Sequence, residues 1–303
     1  FFSTHTPPTP ILSGLVGSEM CIRDSDYTYR EEGPAHEVTL SSFWMDAHEV
    51  TNGQFAEFVA DTGYVTVAER QPNPEDWPGV PVESLEPGST LFTSPQDSNA
   101  SSSWWSYVGG VSWRHPEGPT SSIQGKDNYP VVHVAWEDAQ AYATWAGREL
   151  PTEAQFELVA RSKRNSTFPW EGEELAPDGH HHANTWQGNF PIENTGEDEH
   201  VGIAPVGCFK PNDFGVYDLI GNVWEWTTDW YAPGHNPSDN SNPDGPAEDQ
   251  SFDYANAGFP VKVIKGGSYL CAPNYCMRYR PCLLYTSPSP RDQRGSGLAG
   301  CAC

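Results

Sequence analysis

Two cysteines five residues apart in "KGGSYLCAPNYCMRYRP" (265–281) are the strongest candidates for chemistry in this 303-residue chain. Cys271 and Cys276 follow a glycine pair and enclose Pro273, so the backbone can fold back and bring the two sulfurs together. A structural disulfide across so short a loop removes little unfolded-state entropy, because that stabilisation grows with loop length. A redox couple or a soft-metal site would draw on the thiolates, which favour Cu(I) over Mg²⁺ or Ca²⁺. Lys265, Arg278 and Arg280 stand close in sequence and would lower a thiol pKa. Spacing by itself leaves the disulfide, the redox couple, the metal site and two unrelated thiols all open.

A second kind of chemistry is offered by oxygen donors. "ANTWQGNFPIENTGEDEH" (183–200) places Asn184 and Asp198 on either side of a glycine-containing loop, and "YDLIGNVWEWTTDW" (217–230) gathers Asp218, Asn222 and Glu225 around Gly221. Hard cations such as calcium take six to eight oxygens from carboxylates, amides and carbonyls. The same Asn/Asp/Gly composition also builds ordinary turns. "GHHHAN" (179–184) has the composition of a short exposed His run rather than a site. His133 falls in an apolar pattern and is expected to be a satisfied core histidine.

Several elements must position these groups. "HEVTLSSFWMDAHEVT" (36–51) alternates through Val38, Leu40 and Phe43 as a strand would. Phe55, Phe58 and Val59 then recur at helical spacing behind Thr51 and Asn52, with Gly63 as a stop, which predicts a capped amphipathic helix. "YPVVHVAWEDAQAYATWAG" (129–147) reads as a buried strand turning into a helix with Trp136, Ala139 and Ala143 on one face. Thr152 with Gln155 three residues on forms a capping box that starts another helix. Residues 261–270 read as a strand leading into the cysteines. Residues 71–129 are rich in Pro, Ser, Asn and Gly, yet too aromatic for a linker, and are expected to cross the domain surface as a long ordered excursion.

Composition sets the class. With 12 Trp, 13 Tyr, 13 Phe and 28 each of Gly and Pro, the chain has the makings of a loop-rich globule rather than a disordered one. A formal net charge of −25 argues against nucleic acid and anionic membrane surfaces as partners. No stretch approaches the ~18 consecutive apolar residues of a membrane helix.

Residues 1–25 and 282–303 lack the patterned, aromatic-rich character of the middle. They resemble translated sequencing-adapter and read as non-native segments flanking a single domain at 26–281. Cys21, Cys282, Cys301 and Cys303 fall in these ends, leaving Cys208 besides the close pair. The charges at the two ends cancel, so the acidic character belongs to the interior.

Seven segments then carry a resemblance: "EVTNGQFAEFVADTGYVTVAE", "WWSYVGGVSWRHPEGP", "YPVVHVAWEDAQAYATWAGRELPTEAQFE", "FPWEGE", "ANTWQGNFPIENTGED", "GVYDLIGNVWEWTTDWY" and "VIKGGSYLCAPNYCMRYRP". In this order they resemble the formylglycine-generating enzymes, the sulfatase-modifying factor family, over about residues 31–281. The resemblance implies an α+β fold related to C-type lectins, mixed, loop-rich and poor in regular structure. It implies oxidation of a cysteine in a Cys-x-Pro-x-Arg segment of an unfolded sulfatase to Cα-formylglycine, using O₂, a thiol reductant and Cu(I). Cys271 and Cys276 would hold the copper, the substrate cysteine would join as a third sulfur, and Ser268 matches an active-site serine.

Calcium is implied at two places. The first takes Asn184, the carbonyl of Thr185, Asp198 and the carbonyl of His200. The second takes Asp218, the carbonyls of Gly221 and Val223, and Glu225. Ala272 and Pro273 stand where many members carry a histidine after the first cysteine. The family's usual continuation after Pro281 is replaced by the terminal segment, so the domain is expected to be C-terminally truncated.

Two other classes share the fold. A non-catalytic lectin-like binding module would have no use for the cysteine pair. An iron sulfoxide synthase of the ergothioneine type needs a further His-rich helical domain, which this sequence does not carry. Calcium sites and the Asn-x-Ser/Thr sequons at Asn99 and Asn165 lean toward a periplasmic or secretory setting.

Overall fold

The computed structural model describes residues 36–282 apart from 77–79, 96–103, 163–167, 173, 237 and 255–258, together with short strands at 9–11, 15–17, 285–286 and 298–301. Asn99, Asn165, Cys21 and Cys303 lie outside the described residues.

Among the described residues, ten short strands and three α-helices are set in long loops. The strands are β1 (Thr9–Ile11), β2 (Leu15–Gly17), β3 (Glu37–Thr39), β4 (Phe43–Met45), β5 (Gly88–Phe92), β6 (Trp105–Gly109), β7 (Trp224–Trp230), β8 (Lys262–Lys265), β9 (Tyr285–Thr286) and β10 (Leu298–Cys301). The helices are α1 (Asn52–Thr62), α2 (Trp136–Trp145) and α3 (Glu153–Arg161). β1 pairs with β4, β2 with β3 and β5 with β6, all antiparallel, and a four-stranded sheet runs β10-β7-β8-β9 with β10 parallel to β7. Among the described residues no helix is long and apolar enough to cross a membrane.

The helices start and stop where local chemistry dictates. Thr51 Oγ1 accepts from Gln54 N at 3.3 Å while Gln54 Oε1 accepts from Thr51 N at 2.9 Å, so two otherwise orphaned donors are satisfied. α1 ends at Gly63, whose φ of 68° allows its N–H to close on Val59 O. The Thr152 and Gln155 box repeats the arrangement at α3, with bonds of 2.8 and 3.2 Å. On α1, Phe55, Phe58 and Val59 face inward, and Phe55 meets Trp113 edge-on at 5.1 Å. Ala139 and Ala143 of α2 are fully buried in the same cluster, with Trp136 partly buried against it.

Three expectations change. The stretch before α2 is buried through Val131, Val132 and Val134 but makes only an isolated bridge, Thr51 to Pro130. His133 adopts φ 57°, a left-handed conformation that breaks any strand. The excursion at 71–129 is not confined to the surface. It contributes the β5–β6 hairpin, and Val111 and Trp113 are wholly buried. The strand at 261–270 is only four residues long, because Gly266 and Gly267 turn the chain with φ of 89° and 79°. Cys282, the first residue of the terminal segment, is 2% exposed and disulfide-bonded.

Candidate active site

β7 and β8 run antiparallel with Glu225 opposite Lys265 and Trp226 opposite Ile264, and the chain leaves β8 directly into the cysteine loop. The turn there requires glycine: a Cβ on Gly267 would lie 3.0 Å from Tyr279 Cα, at a φ that side chains disfavour. Backbone bonds then shape the loop. Cys271 N donates to Ser268 O at 2.9 Å, Trp186 N to Cys271 O at 3.0 Å, and both Tyr275 N and Cys276 N to Ala272 O at 3.1 Å. The result is a sulfur-to-sulfur distance of 2.9 Å between Cys271 and Cys276.

The two thiols are unlike. Cys271 is 1% exposed, and burial together with its hydrogen bond to Cys276 pushes its pKa well up. Cys276 is partly exposed and is held below its ordinary value, first by the bond from Cys271, then by the Arg278 backbone N–H and guanidinium, although burial opposes them. Of the two, Cys276 therefore gives up its proton the more readily, with Cys271 as the hydrogen-bond donor. Ser268 also bonds to Cys271 through its side chain, and its Oγ accepts from Leu270 N at 3.3 Å.

Lys265 does not act on the thiols. Strand alternation turns it to the other face of β8, where it is fully buried 3.3 Å from Glu153 and 3.8 Å from Glu157. Beside the loop, Trp186, Phe190, Leu270 and Ala272 form an apolar cluster, and Tyr275, 46% exposed, stacks on Phe190 at 4.0 Å. Partly exposed Cys276 thus opens next to an aromatic surface.

The oxygen donors are brought together as well. Thr185 N and His200 N donate to Asp198 Oδ2 and Oδ1, both at 3.0 Å, so the loop closes around that carboxylate. Gln187 Nε2 bonds to the Thr185 carbonyl and to Asp198 Oδ2. Asn184 donates to Gly202 O and Asn222 Oδ1, while its own Oδ1 is buried without a hydrogen-bond partner. Asn184 and Gly221 form a bridge so close that a Cβ on Gly221 would lie 2.1 Å from Asn184 O. Only glycine fits there, and it joins the Asn184 loop to the Asp218–Glu225 loop.

In that second loop Asp218 is 9% and Glu225 2% exposed. Glu49, which sequence reasoning missed, joins them at 1% exposure, close enough that its carboxyl and that of Asp218 perturb each other. Asn222 Nδ2 donates to its Oε1 at 2.9 Å, and its Oε2 has no hydrogen-bond partner. Burial raises the pKa of all three acids; Asp218 adds repulsion at Glu225, and Asp218 and Glu225 both add it at Glu49. Nothing local marks Glu49 in the sequence, because it looks like any acid in front of a helix. Among the described residues no three His, Cys, Asp or Glu side chains converge as a ready metal site, so a cation here would also need amide and carbonyl oxygens.

His133 behaves as expected, whereas the His run is exposed only at His180, its His181 and His182 side chains being 15% and 14% exposed. His133 is buried with Nδ1 against Ser89 Oγ and Nε2 against Pro116 O, each at 2.9 Å. His182 of the His run pairs with Asp178 at 3.0 Å.

A loop-rich α+β domain that presents a thiol pair beside an aromatic surface defines a narrow class. The Sulfatase-modifying factor enzyme 1-like domain matches residues 11–296, and the chain belongs to that family. It is 45% identical over 294 residues to the "Formylglycine-generating enzyme" of Mus musculus, covering 97% of this chain and 73% of that protein. It is also 42% identical over 204 residues to the "Inactive C-alpha-formylglycine-generating enzyme 2" of Mus musculus, covering 67% of this chain and 63% of that protein. Among solved structures, PvdO from Pseudomonas aeruginosa shares the fold with a TM-score of 0.65 at 22% identity, covering 96% of this chain and 91% of that one.

Proposed function

We propose that the chain is a formylglycine-generating oxidase. It converts the cysteine of a Cys-x-Pro-x-Arg segment in an unfolded sulfatase polypeptide to Cα-formylglycine, with O₂ as oxidant and a thiol as reductant. The observation that carries this reading is the 2.9 Å approach of Cys271 to Cys276 in a chain so similar to enzymes of that name.

The donor set fits Cu(I), which takes soft sulfur ligands at low coordination number. Cys271 and Cys276 would hold it, and when bound it supplies the redox chemistry between O₂ and the substrate cysteine. The Cys271 hydrogen bond, and after it Arg278, lower the Cys276 pKa toward the thiolate that metal binding needs, and Ser268 hydrogen-bonds the Cys271 sulfur. The aromatic surface of Phe190 and Tyr275 receives the extended substrate next to the exposed side of Cys276.

Calcium fits the oxygen-lined loops. The unpartnered Asn184 Oδ1 beside Asp198, and the unpartnered Glu49 Oε2 beside Asp218 and Glu225, are buried acceptors that a hard cation satisfies. In this reading Asn184, Thr185, Asp198 and His200 form one site, and Asp218, Gly221, Val223 and Glu225 the other. Both hold the loops that pack under the cysteine turn.

The test is incubation of the purified chain with Cu(I), O₂, dithiothreitol and a Cys-x-Pro-x-Arg peptide, followed by mass spectrometry for the aldehyde. Formylglycine is expected, with Cys271→Ser and Cys276→Ser each lowering the rate at least 100-fold and abolishing Cu(I) capture from a chromogenic chelator. A folded protein that binds the peptide and makes no aldehyde supports the second reading instead, a non-catalytic binding module. That alternative is kept by the similarity to the inactive relative in Mus musculus.

A further inference from the structure

Strand alternation separates two faces of β8. Ile264 packs with Cys271 and Tyr279, whereas Val263 packs on the opposite face with Tyr231 and Val261. On that opposite face, away from the cysteines, a cavity of about 360 Å³ lies between the start of α3, the end of β7 and the segment 232–250. Its size falls at the lower end of the ~300–1,000 Å³ typical of small-molecule sites. Val38, Ala154 and Val263 give it an apolar floor; its charged and titratable lining is Glu153, Glu157, Asp229, Asp239, His36 and His235, with Asn236 and Gln250 as neutral polar groups.

Two of these groups have an oxygen to spare. Glu153 meets Lys265 at 3.3 Å and His235 at 3.4 Å through Oε1 alone. Asp229, only 4% exposed, accepts from Glu153 N at 2.7 Å and Thr228 Oγ1 at 3.2 Å through Oδ2 alone. Among the described residues, Glu153 Oε2 and Asp229 Oδ1 therefore have no hydrogen-bond partner, although both residues line the cavity.

We propose that this cavity binds a primary ammonium group carried on a short aliphatic stem. The two spare oxygens belong to different side chains, which suits the three rotatable donors of an ammonium better than the rigid fork of a guanidinium. The apolar floor takes the stem. An anion would meet two carboxyl groups. Lys262 draws the Asp229 pKa down, but burial and then Glu153 outweigh it and raise it to about 7. An ammonium at Oδ1 would add a second cation to favour the carboxylate. The site is independent of the copper chemistry proposed above, and its test does not read formylglycine formation.

Isothermal titration of the full chain with n-butylammonium chloride decides the matter, with 1-butanol and butyrate as neutral and anionic isosteres. Butylammonium is expected to bind at least tenfold more tightly than either isostere. Asp229→Asn, which keeps the acceptor for Glu153 N, is expected to weaken it at least tenfold. Ala247→Phe, at an exposed position on the cavity wall, is expected to weaken it as much by filling the space, and it decides alone if the Asp229 variant does not fold. A parallel titration with N-acetyl-lysine amide separates a lysine side chain from a free amine as the source of the ammonium; either one binding in preference to butanol supports the site. Equal binding of butanol and butylammonium, no saturable binding of any cation, or binding indifferent to Ala247→Phe overturns it.

Discussion

Replacing Lys265 by Met tests whether the charge network behind β8 is a major source of stability. Its ammonium is completely buried, 3.3 Å from Glu153 and 3.8 Å from Glu157, whose side chains are 13% and 10% exposed. Removing it leaves two buried carboxylates with only His235 and Arg161 as partners. Burial would raise the Glu153 pKa, but Lys265 and then His235 bring it from 4.5 down to about 2. At about 1.36 kcal/mol per pH unit, that displacement corresponds to about 3 kcal/mol. This agrees with the ~3–5 kcal/mol that breaking a buried ion pair usually costs.

The sign follows from linkage. A depressed carboxyl pKa contributes stability that is present above the unfolded value of 4.5 and is lost as pH falls toward 2. Urea unfolding of wild type and Lys265→Met in the same buffer should show a gap of about 3 kcal/mol at pH 7, shrinking to about 1.4 kcal/mol at pH 3. A gap below about 1 kcal/mol at pH 7, or one equal at both pH values, would refute the reasoning.

Two further outcomes follow from the buried polar groups. Chelating calcium with EGTA should lower the melting temperature by roughly 5–10 °C, because one site held 100-fold above its dissociation constant contributes about 2.7 kcal/mol. An unchanged melting temperature would remove calcium from the Asn184 and Asp218 loops. His133 should make the fold acid-sensitive: burial lowers its pKa from 6.5 to about 4, so the folded state keeps it neutral and stability is lost as pH falls through that window. Between pH 7 and pH 4.5 the wild type should lose about 2–3 kcal/mol more than His133→Asn in denaturant titrations, and parallel losses would contradict the assignment.

What the sequence disclosed was local. The Thr51–Gln54 and Thr152–Gln155 boxes, the stop at Gly63 and the apolar faces of α1 and α2 depend on neighbours within one or two helical turns, and all appear where their spacing places them. What stayed hidden depends on contacts across the chain. Glu49 meets Asn222 from 173 residues away, and no periodicity links them. The run before α2 has strand composition, but His133 takes a left-handed backbone angle and binds Ser89 and Pro116 instead, which no local pattern encodes.

Lys265 shows the same limit at the site itself. Counting along the chain puts it near the cysteines, whereas the face it occupies on a strand of only four residues decides that it serves Glu153 and Glu157. Spacing could likewise say that Cys271 and Cys276 are able to meet, and could not say which of them is the more acidic. That asymmetry comes from depth: Cys271 lies in the apolar core with Ile264, while Cys276 sits at its edge within reach of the Arg278 N–H and guanidinium. The thiol pair thus joins one buried donor to one partly exposed acceptor. The aromatic surface of Phe190 and Tyr275 lies beside the loop that carries it.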